Sequence, residues 1–308
     1  CGTVGPLTVT GDSAGCGRRR RPDANADKTG DEDIVVTGSS IANALSIAGS
    51  DPSGGAGIQA DLKSFSANHV FGMAVITALT AQNTQGVSGI HLPPVDFITA
   101  QIDAIFDDIR VDAIKIGMVA NAEIATAVTS ALAGRHCPHI VLDPVMVAKG
   151  GAPLLQPYAV DAVRRDLLPL ASVVTPNLPE AGVLLGLPAA RTRAEMAWQA
   201  RALLSCGPEA VLIKGGHFEG EGSPDLLLTR NEEHWFEADR IDSVNTHGTG
   251  CSLSSALAAC LARGMTMVDA TTSAKSFITG AIRYADALAV GSGHGPTHHF
   301  YAMWTDHR

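Results

Sequence analysis

The stretch Asn245–Ser252 places glycines and a cysteine where a polar run meets an apolar helix pattern. Apolar residues recur at helical spacing over residues 253–261, which predicts a glycine-rich turn that opens a helix. Gly248 and Gly250 let the backbone approach a ligand closely, and the unpaired amides of a helix start attract anions. A thiol at such a position, here Cys251, is expected to have a lowered pKa. The same residues would also suit a capped helix whose small side chains fill a packing gap.

Four polar side chains lie where predicted strands end. Asn177 and Glu180, in the pattern N-x-x-E, could form a helix capping box, or the carboxylate could hold Mg²⁺ through water. Lys214, followed by two glycines, could reach a phosphate or could be an exposed lysine at a turn. Asp143 closes an apolar strand pattern and needs a partner or an ion there. Together with the helix start, these residues favour phosphoryl transfer, which needs amides and cations around the moving group and an acceptor for the alcohol's proton.

Other motifs point to chemistry less strongly. Gly55-x-Gly57-x-x-Ala60 matches the dinucleotide fingerprint, but the next predicted strand ends in the amide of Gln82 instead of the acidic residue that a Rossmann unit needs. The sequence contains neither a Walker-type phosphate loop nor a G-x-S-x-G elbow. The histidine-rich residues 293–299 could suggest a metal site, but the lack of a nearby acidic partner favours a structural or lid-like tail.

Short apolar runs alternate with amphipathic stretches from residue 44 onward. This alternation predicts a mostly parallel sheet covered by helices, in which ligands lie beyond the carboxyl ends of the strands. The predicted strands are Ala44–Ala48, Gly72–Ala81, Ala113–Gly117, His139–Asp143, Ser172–Thr175 and Val211–Lys214, with a hairpin-like stretch over Leu226–Leu228 and Trp235–Ile241. The predicted helices are one through Ile58 and Phe65, one from near Pro94 to Phe106, and Ala122–Ala133, Tyr158–Leu168, Thr192–Leu204, Gly250–Ala262 and Val268–Leu288.

Composition limits the class of protein. The 308 residues predict a single domain over 44–308, preceded by a disordered extension over 1–43 whose arginine run could otherwise be a nucleic-acid or targeting arm. A net charge of −9 argues against general nucleic-acid or membrane-surface binding. No apolar run reaches the roughly 20 residues that cross a bilayer. The six cysteines show no C-x-x-C pair, which argues against a zinc or disulfide framework and is typical of a cytoplasmic protein.

Several longer motifs resemble those of the hydroxymethylpyrimidine/phosphomethylpyrimidine kinases, thiamine-biosynthesis enzymes of the ribokinase-like superfamily. The resemblance covers about residues 44–300 and implies a ribokinase-like, three-layer αβα fold. It also implies two successive ATP-dependent phosphorylations, first of a hydroxymethyl group and then of the resulting monophosphate. The motifs are Ala48–Lys63 (AGSDPSGGAGIQADLK), Thr80–Thr84 (TAQNT), Lys115–Met118 (KIGM), Thr175–Glu180 (TPNLPE), Lys214–His217 (KGGH) and Asn245–Cys251 (NTHGTGC).

The resemblance implies roles for residues of a substrate pocket. The amide of Gln82 would pair with the ring nitrogen and the amino group of the pyrimidine, because that edge requires both a donor and an acceptor. Asp61 would make a second polar contact with the ring. The remaining lining of the pocket would be formed by Gly49, Ala56, Met118 and Val145.

The resemblance also implies the groups around the reacting alcohol. Gly248, Thr249 and Gly250 would form the anion hole. Cys251 would be the catalytic base, or it would instead position the substrate while the alcohol loses its proton late.

A third set of residues is implied for ATP and its metal ion. Asn177, Glu180 and Asp143 would organise Mg²⁺ and its water. Lys214 would contact the ATP phosphates, and Lys275 is a weaker candidate for the same role.

Two alternatives remain open at this point. A vitamin B6 kinase shares the fold and parts of these motifs, and Gln82 is one residue that discriminates between the two. A catalytically silent pyrimidine-binding regulator would bind without forming ADP, and it would have no use for Cys251, Lys214 and Glu180 together. The expected partners are a small pyrimidine and ATP, with no nucleic acid and no membrane, and the resemblance implies a homodimer.

Overall fold

A nine-stranded sheet forms the centre of the part of the chain that the computed structural model describes, residues 40–147, 154, 158–218 and 222–304. The strands are β1 (Asn43–Ser50), β2 (Phe71–Asn83), β3 (Gly86–His91), β4 (Ala113–Ile116), β5 (Ile140–Leu142), β6 (Val173–Val174), β7 (Ala210–Ile213), β8 (Asp225–Thr229) and β9 (Glu233–Phe236). Their order in the sheet is β3-β2-β1-β4-β5-β6-β7-β8-β9. Most of the predicted N-terminal extension, residues 1–39, lies outside the described residues.

The central strands of the sheet run parallel. β1 pairs with β2 on one side and with β4 on the other, and parallel pairing continues through β5 and β6 to β7. β3 joins β2 in antiparallel fashion at one edge, and β8 and β9 extend the other edge in the same way. The carboxyl ends of β1, β4, β5, β6 and β7 therefore meet at the same edge, where we expect ligands to bind.

Helices cover both faces of the sheet. They are α1 (Gly57–Ala67), α2 (Val95–Phe106), α3 (Ala122–Leu132), α4 (Ala159–Ala162), α5 (Leu178–Leu185), α6 (Arg193–Leu204), α7 (Thr249–Ala262) and α8 (Met267–Arg283). α1, α7 and α8 pack on one face in an apolar cluster that includes Phe65 and Leu257. α2 to α6 pack on the other face in a cluster that includes Ile98 and Leu203. The predicted three-layer, mostly parallel architecture is confirmed.

The edges of the fold differ from the predictions. The pattern did not predict β3, because this strand is largely exposed and lacks an alternating apolar pattern. β9 ends at Phe236, five residues before the predicted end of the hairpin-like stretch. α8 ends at Arg283, because Tyr284 leaves helical geometry with φ −101° and ψ 8°.

The helix predicted over Tyr158–Leu168 is irregular. Only α4 is α-helical, and the chain continues as a π-helical turn (Val163–Leu167) and a 3-10 turn (Leu168–Leu170). Pro169 in the last turn has no amide hydrogen, so the α-helical hydrogen-bond ladder cannot run through it. Among the described residues, no helix combines the length and apolarity that a bilayer crossing requires.

Candidate active site

Polar residues from three neighbouring strands and one helix meet beyond the carboxyl ends of the parallel strands. Asp143 directly follows β5 and Lys214 directly follows β7, while Asn177 lies shortly after β6. A parallel backbone bridge joins Asn177 to Lys214. The start of α7 faces the same group, since a Cβ atom on Gly250 would lie 3.2 Å from Nζ of Lys214 and 3.8 Å from Oδ2 of Asp143. The predicted phosphate-side residues are therefore brought together.

The start of α7 is exposed to a ligand through its backbone. Gly248, which precedes the helix, has φ 77° and ψ 9°, and none of the described side chains caps the helix with a hydrogen bond. A Cβ atom on Gly248 would lie 1.8 Å from the carbonyl oxygen of Gly55, so the first glycine loop and the helix start are in direct backbone contact. The amide of Thr249 makes a long hydrogen bond of 3.4 Å to the carbonyl of Thr246, for which an anion at the helix start would compete. The start of α7, including the amide of Gly250, is therefore a place where an anion can bind.

Lys214 lies between two buried carboxylates. Its Nζ is 2.8 Å from Oδ1 of Asp143 and 3.9 Å from Oε2 of Glu180. Burial favours the neutral form of Asp143, but the charges of Lys214 and Lys115 outweigh this effect and lower the pKa of the carboxyl. Burial raises the pKa of Glu180 to about 7, since Lys214 offsets only part of that effect and Asp143 adds to it. The cluster can therefore accept further positive charge.

Asn177 and Glu180 form the capping box of α5. Oδ1 of Asn177 accepts a hydrogen bond from the Glu180 amide at 2.8 Å, and Oε2 of Glu180 accepts one from the Asn177 amide at 2.8 Å. The capping interpretation of this motif is confirmed. The same geometry holds the Glu180 carboxylate toward Lys214, so capping does not remove it from the site.

The expectation of a lowered thiol pKa at Cys251 is wrong. Burial raises the pKa of this thiol to about 11. Lys115 and the backbone amide of Gly57 offset the effect only in part, and the charges of Asp61 and Asp143 add to it. A helix start favours a thiolate, but here the loss of water and the negative neighbours have the larger influence. The thiol is therefore protonated near neutral pH.

The prediction that Asp61 contacts the substrate ring also needs correction. Its side chain and that of Lys115 are both 0% exposed, and Nζ of Lys115 lies 2.9 Å from each carboxylate oxygen of Asp61. Ser46 and Ser255 each donate a hydroxyl hydrogen bond to the same carboxylate, at 2.6 and 2.7 Å. With both oxygens occupied and enclosed, Asp61 stabilises the layer behind the site instead of binding a ligand.

Gln82 is held beside the first glycine loop by a histidine. Its Nε2 lies 3.2 Å from Nε2 of His247, and the same ring nitrogen lies 2.8 Å from Oδ2 of Asp51. His247 directly precedes Gly248, so the predicted pyrimidine-binding amide lies next to the predicted anion hole. Gln82 and the start of α7 thus share one side of the molecule.

The smaller predicted lining residues are placed around the first glycine loop and the end of β4. A Cβ atom on Gly49 would lie 3.0 Å from Sδ of Met118, so these two residues are in contact. Ala56 lies against the backbone of Gly248, because a Cβ atom added to Gly248 would lie 3.2 Å from Cα of Ala56. Val145 follows Asp143 by two residues and donates its amide hydrogen to the Asp143 carbonyl at 2.8 Å.

Lys275 does not offer a free ammonium group to a phosphate. Its Nζ donates to Oδ2 of Asp225 at 2.6 Å and to the carbonyl of Ser223 at 2.9 Å. Oδ1 of Asp225 accepts a hydrogen bond from the amide of Gly215 at 2.8 Å. Lys275 therefore supports the turn after Lys214, and the prediction that it contacts phosphate directly is corrected to this indirect role.

The C-terminal residues 293–299 pack against the site from the side of α7. Nε2 of His299 lies 2.8 Å from Oγ of Ser252, and Ser252 also donates to the carbonyl of Gly248 at 2.8 Å. Burial lowers the pKa of His299 to about 3, so its imidazole is neutral. This supports the structural interpretation of the histidine-rich tail. No group of three potential metal-ligating side chains occurs in the described part of the chain.

Three residues of the site were missed when the sequence was considered alone. Asp51 and His247 both lie inside motifs that had been recognised, but their side chains had no assigned role. Lys115 lies within an apolar strand, and a lysine at such a position is itself a signal of a buried ion pair. Its partner could not be identified, because Asp61 lies 54 residues away in sequence.

Known proteins resemble this chain in sequence and in fold. The phosphomethylpyrimidine kinase family profile matches residues 51–298. The hydroxymethylpyrimidine/phosphomethylpyrimidine kinase of Salmonella typhimurium is 54% identical over 262 residues, which cover 85% of this chain and 98% of that protein. A Bacillus subtilis pyridoxal kinase in complex with ADP superposes with a TM-score of 0.80 at 37% identity, over 86% of this chain and 100% of that chain. A phosphomethylpyrimidine kinase from Clostridium difficile 630 superposes with a TM-score of 0.70 at 42% identity, over 78% and 99% of the two chains.

Proposed function

The chain belongs to the phosphomethylpyrimidine kinase family, and from that membership we propose how its residues carry out the reaction. It is a phosphotransferase that uses ATP to phosphorylate hydroxymethylpyrimidine and then the resulting monophosphate. One observation carries the assignment of roles. The start of α7 lies against the pair formed by Asp143 and Lys214, and His247, which directly precedes Gly248, contacts Gln82.

Gln82 binds the pyrimidine edge in this proposal. Its carbonyl oxygen accepts from the exocyclic amino group, and its NH₂ donates to the neighbouring ring nitrogen. Gly49, Ala56, Met118 and Val145 form the surrounding wall. An amide that recognises both groups would discriminate strongly against a ring that lacks one of them, because a buried polar atom would lose its partner.

The α7 start and Lys214 act on the moving phosphoryl group. The amides of Gly248, Thr249 and Gly250 stabilise the charge on its oxygens, and the amide of Thr249 gives up its long contact with the carbonyl of Thr246 to do so. Lys214, which Asp143 holds at 2.8 Å, adds a fixed positive charge beside these amides. Lys275 contributes indirectly, through Asp225 and the turn at Gly215.

Cys251 contacts the substrate alcohol as a neutral thiol. Because its pKa is about 11, the thiolate is a minor species near neutral pH, and the thiol positions the hydroxyl for in-line attack. Phosphoryl transfer has a loose transition state and requires little activation of the nucleophile. The alcohol proton therefore leaves late, onto an oxygen of the transferred phosphoryl group.

The residues around Lys214 fit a Mg²⁺ ion that is held through water. Asp143 and Glu180 provide the oxygen ligands that this ion prefers, and Lys214 is the cation within 4 Å of both carboxylates. Each carboxylate already binds a protein donor, and Asn177 uses its side-chain oxygen in the helix cap. Phosphate oxygens and water would therefore supply the remaining ligands. When bound, the ion would supply positive charge that offsets the negative charge of the ATP phosphates.

We also propose that the chain forms a homodimer. β3 is an edge strand whose Ile90 is 44% exposed, and Leu79 on the adjacent β2 is exposed to the same extent. An exposed edge with apolar side chains is a surface that a second copy can cover. Light scattering should then give about twice the chain mass of 31.8 kDa.

A coupled assay of ADP formation tests the function. Hydroxymethylpyrimidine, its monophosphate and pyridoxal should be compared side by side at equal concentration. We expect ADP formation with the first two compounds. Turnover of pyridoxal alone would instead identify a vitamin B6 kinase. This alternative is relevant because solved pyridoxal kinases share the fold. Binding of the pyrimidine without ADP formation would identify a sensor.

A further inference from the structure

We propose that His247 is a positioning residue that fixes the amide orientation of Gln82 and thereby sets recognition of the aminopyrimidine edge. The inference rests on the proposed function, since it concerns the same substrate. It assigns roles to His247 and Asp51, which otherwise have none in the reaction.

One ring nitrogen of His247 has two close neighbours. Nε2 lies 2.8 Å from Oδ2 of Asp51 and 3.2 Å from Nε2 of Gln82. A carboxylate oxygen can only accept a hydrogen bond, so the short contact with Asp51 requires that Nε2 carries a hydrogen. A protonated ring nitrogen has no lone pair for the NH₂ group of Gln82. The amide that fits this contact has its oxygen toward His247, which a 180° rotation of the terminal torsion achieves. The single N–H is then shared, with Asp51 as the nearer acceptor and the Gln82 oxygen as the more distant one.

Thr80 supports the same orientation from the other end of the amide. Its hydroxyl donates to the carbonyl of Ser50 at 2.8 Å, so its oxygen is left to accept. One terminal atom of the Gln82 amide lies 3.3 Å from Oγ1 of Thr80. After the amide is rotated, this atom is the NH₂ nitrogen, which can donate to the hydroxyl oxygen. Both ends of the amide are therefore held, and one N–H and one carbonyl lone pair remain for a ligand.

The histidine that imposes this orientation is itself fixed. Asp51 is buried, and its carboxylate also accepts from the amide and hydroxyl of Ser53 at 2.9 and 2.7 Å and from the Ala56 amide at 2.8 Å. The backbone of His247 donates to the carbonyl of Gly295 at 3.0 Å. A Cβ atom on Gly55 would lie 2.4 Å from Cδ2 of the imidazole, so the ring packs directly against bare backbone. The imidazole is therefore buried against the first glycine loop, which limits its movement away from Asp51.

A substrate-preference assay tests the proposal. kcat and KM are measured for hydroxymethylpyrimidine and for an analogue in which hydrogen replaces the ring amino group. In His247→Phe, the ring shape remains but the N–H is lost. We expect its preference for the aminopyrimidine to fall about tenfold, mainly through KM, with KM for ATP changed by less than about twofold.

Two further variants separate positioning from packing. His247→Gln retains an N–H that can reach Asp51, and it should recover most of the preference. The double variant His247→Phe with Gln82→Leu should be no less selective than Gln82→Leu alone, since the histidine acts through the amide. His136→Gln, in an exposed loop before β5, is the matched control and should equal the wild type.

Each outcome decides a separate question. A folded His247→Phe protein with unchanged preference, or additive effects in the double variant, would overturn the role of His247. If His247→Phe does not fold, Asp51→Asn provides the same test, because it removes the carboxylate that imposes the ring hydrogen. A wild-type protein that forms no ADP with the pyrimidine would instead refute the proposed function.

Discussion

Asp61 and Lys115 form an ion pair in which neither side chain has any solvent exposure and Nζ lies 2.9 Å from both carboxylate oxygens. The pair links α1 to β4 directly behind the start of α7. Burial opposes the charge on Lys115, but Asp61 and the other negative neighbours outweigh it and raise the pKa of the lysine. The lysine therefore stays charged and depends on its partner.

Removal of Asp61 should leave a buried, unpaired ammonium group. We expect Asp61→Ala to lower the free energy of unfolding by roughly 3–5 kcal/mol, as measured by urea denaturation. Glu237→Gln breaks the exposed pair with Arg193 and is the control, with little change expected. Equal stability of wild type and Asp61→Ala would contradict the assigned role of the pair.

Gly248→Ala should damage the anion site more than a comparable glycine substitution elsewhere. Gly248 and Gly264 flank α7 with φ values of 77° and 84°, so an alanine costs about 1 kcal/mol of backbone strain at either position. Only at Gly248 would the Cβ atom meet backbone, 1.8 Å from the Gly55 carbonyl, whereas nothing lies within 4 Å at Gly264. We expect kcat to fall at least about tenfold in Gly248→Ala alone. Equal kcat values for the two variants would refute the close contact.

The reactivity of Cys251 should follow its raised pKa. With a pKa of about 11, alkylation by iodoacetamide should be slow at pH 7 and should rise about tenfold per pH unit up to pH 9.5 without a plateau. Mass spectrometry of the Cys251 peptide measures the rate, with glutathione as the reference thiol. A plateau below pH 9 would show that the thiolate forms readily.

Two substitutions at Cys251 distinguish a base from a positioning group. If the thiol positions the alcohol, Cys251→Ser should retain kcat to within about tenfold, whereas Cys251→Ala should lose more, with KM for the pyrimidine nearly unchanged. Single-turnover kinetics measure the chemical step directly. Equal, large losses in both variants would favour a thiolate base.

Gln82→Leu should remove recognition of the pyrimidine while leaving ATP binding intact. Loss of hydrogen bonds to the substrate should lower kcat/KM for hydroxymethylpyrimidine about 10- to 100-fold. KM for ATP is the internal control, because Gln82 lies on the side of the first glycine loop and not among the residues around Lys214. Full activity of the variant would defeat the pyrimidine assignment for this residue.

His299 should make the fold sensitive to mild acid. Its pKa is lowered to about 3 in the folded protein, mainly by burial, against 6.5 as the reference value, so the unfolded chain binds a proton first. Above pH 6.5, His299 is neutral in both the folded and the unfolded protein and does not lower the free energy of unfolding. As the pH falls from 6.5 toward 3, only the unfolded chain binds the proton, so the free energy of unfolding decreases. Between pH 7 and pH 5 this amounts to about 2 kcal/mol.

The comparison with His299→Gln isolates this effect from other titrating groups. The glutamine retains an N–H that can donate to the hydroxyl oxygen of Ser252, whose own hydrogen is donated to the carbonyl of Gly248, but it cannot be protonated. Urea denaturation of both proteins at pH 7 and pH 5 should show a steeper loss in the wild type. Parallel losses would mean that His299 is hydrated or charged in the folded state.

Local patterns were sufficient to predict most of the helices and strands. β1 was visible as an apolar run, α6 through its capping box at Thr192 and Glu195, and α7 through its helical spacing. The chemistry of individual groups was not visible. The pKa of Cys251 depends chiefly on burial and then on the charges of Lys115 and Asp61, and the enclosure of Asp61 depends on Lys115. These residues are separated in sequence by distances that no local pattern spans.

The contact between His299 and Ser252 joins positions 47 residues apart. Part of the support for the amides that are proposed to receive phosphate therefore comes from residue 299, which touches no ligand in the proposal. Loss of this support would loosen the phosphate site while every residue that is proposed to bind a ligand stayed in place.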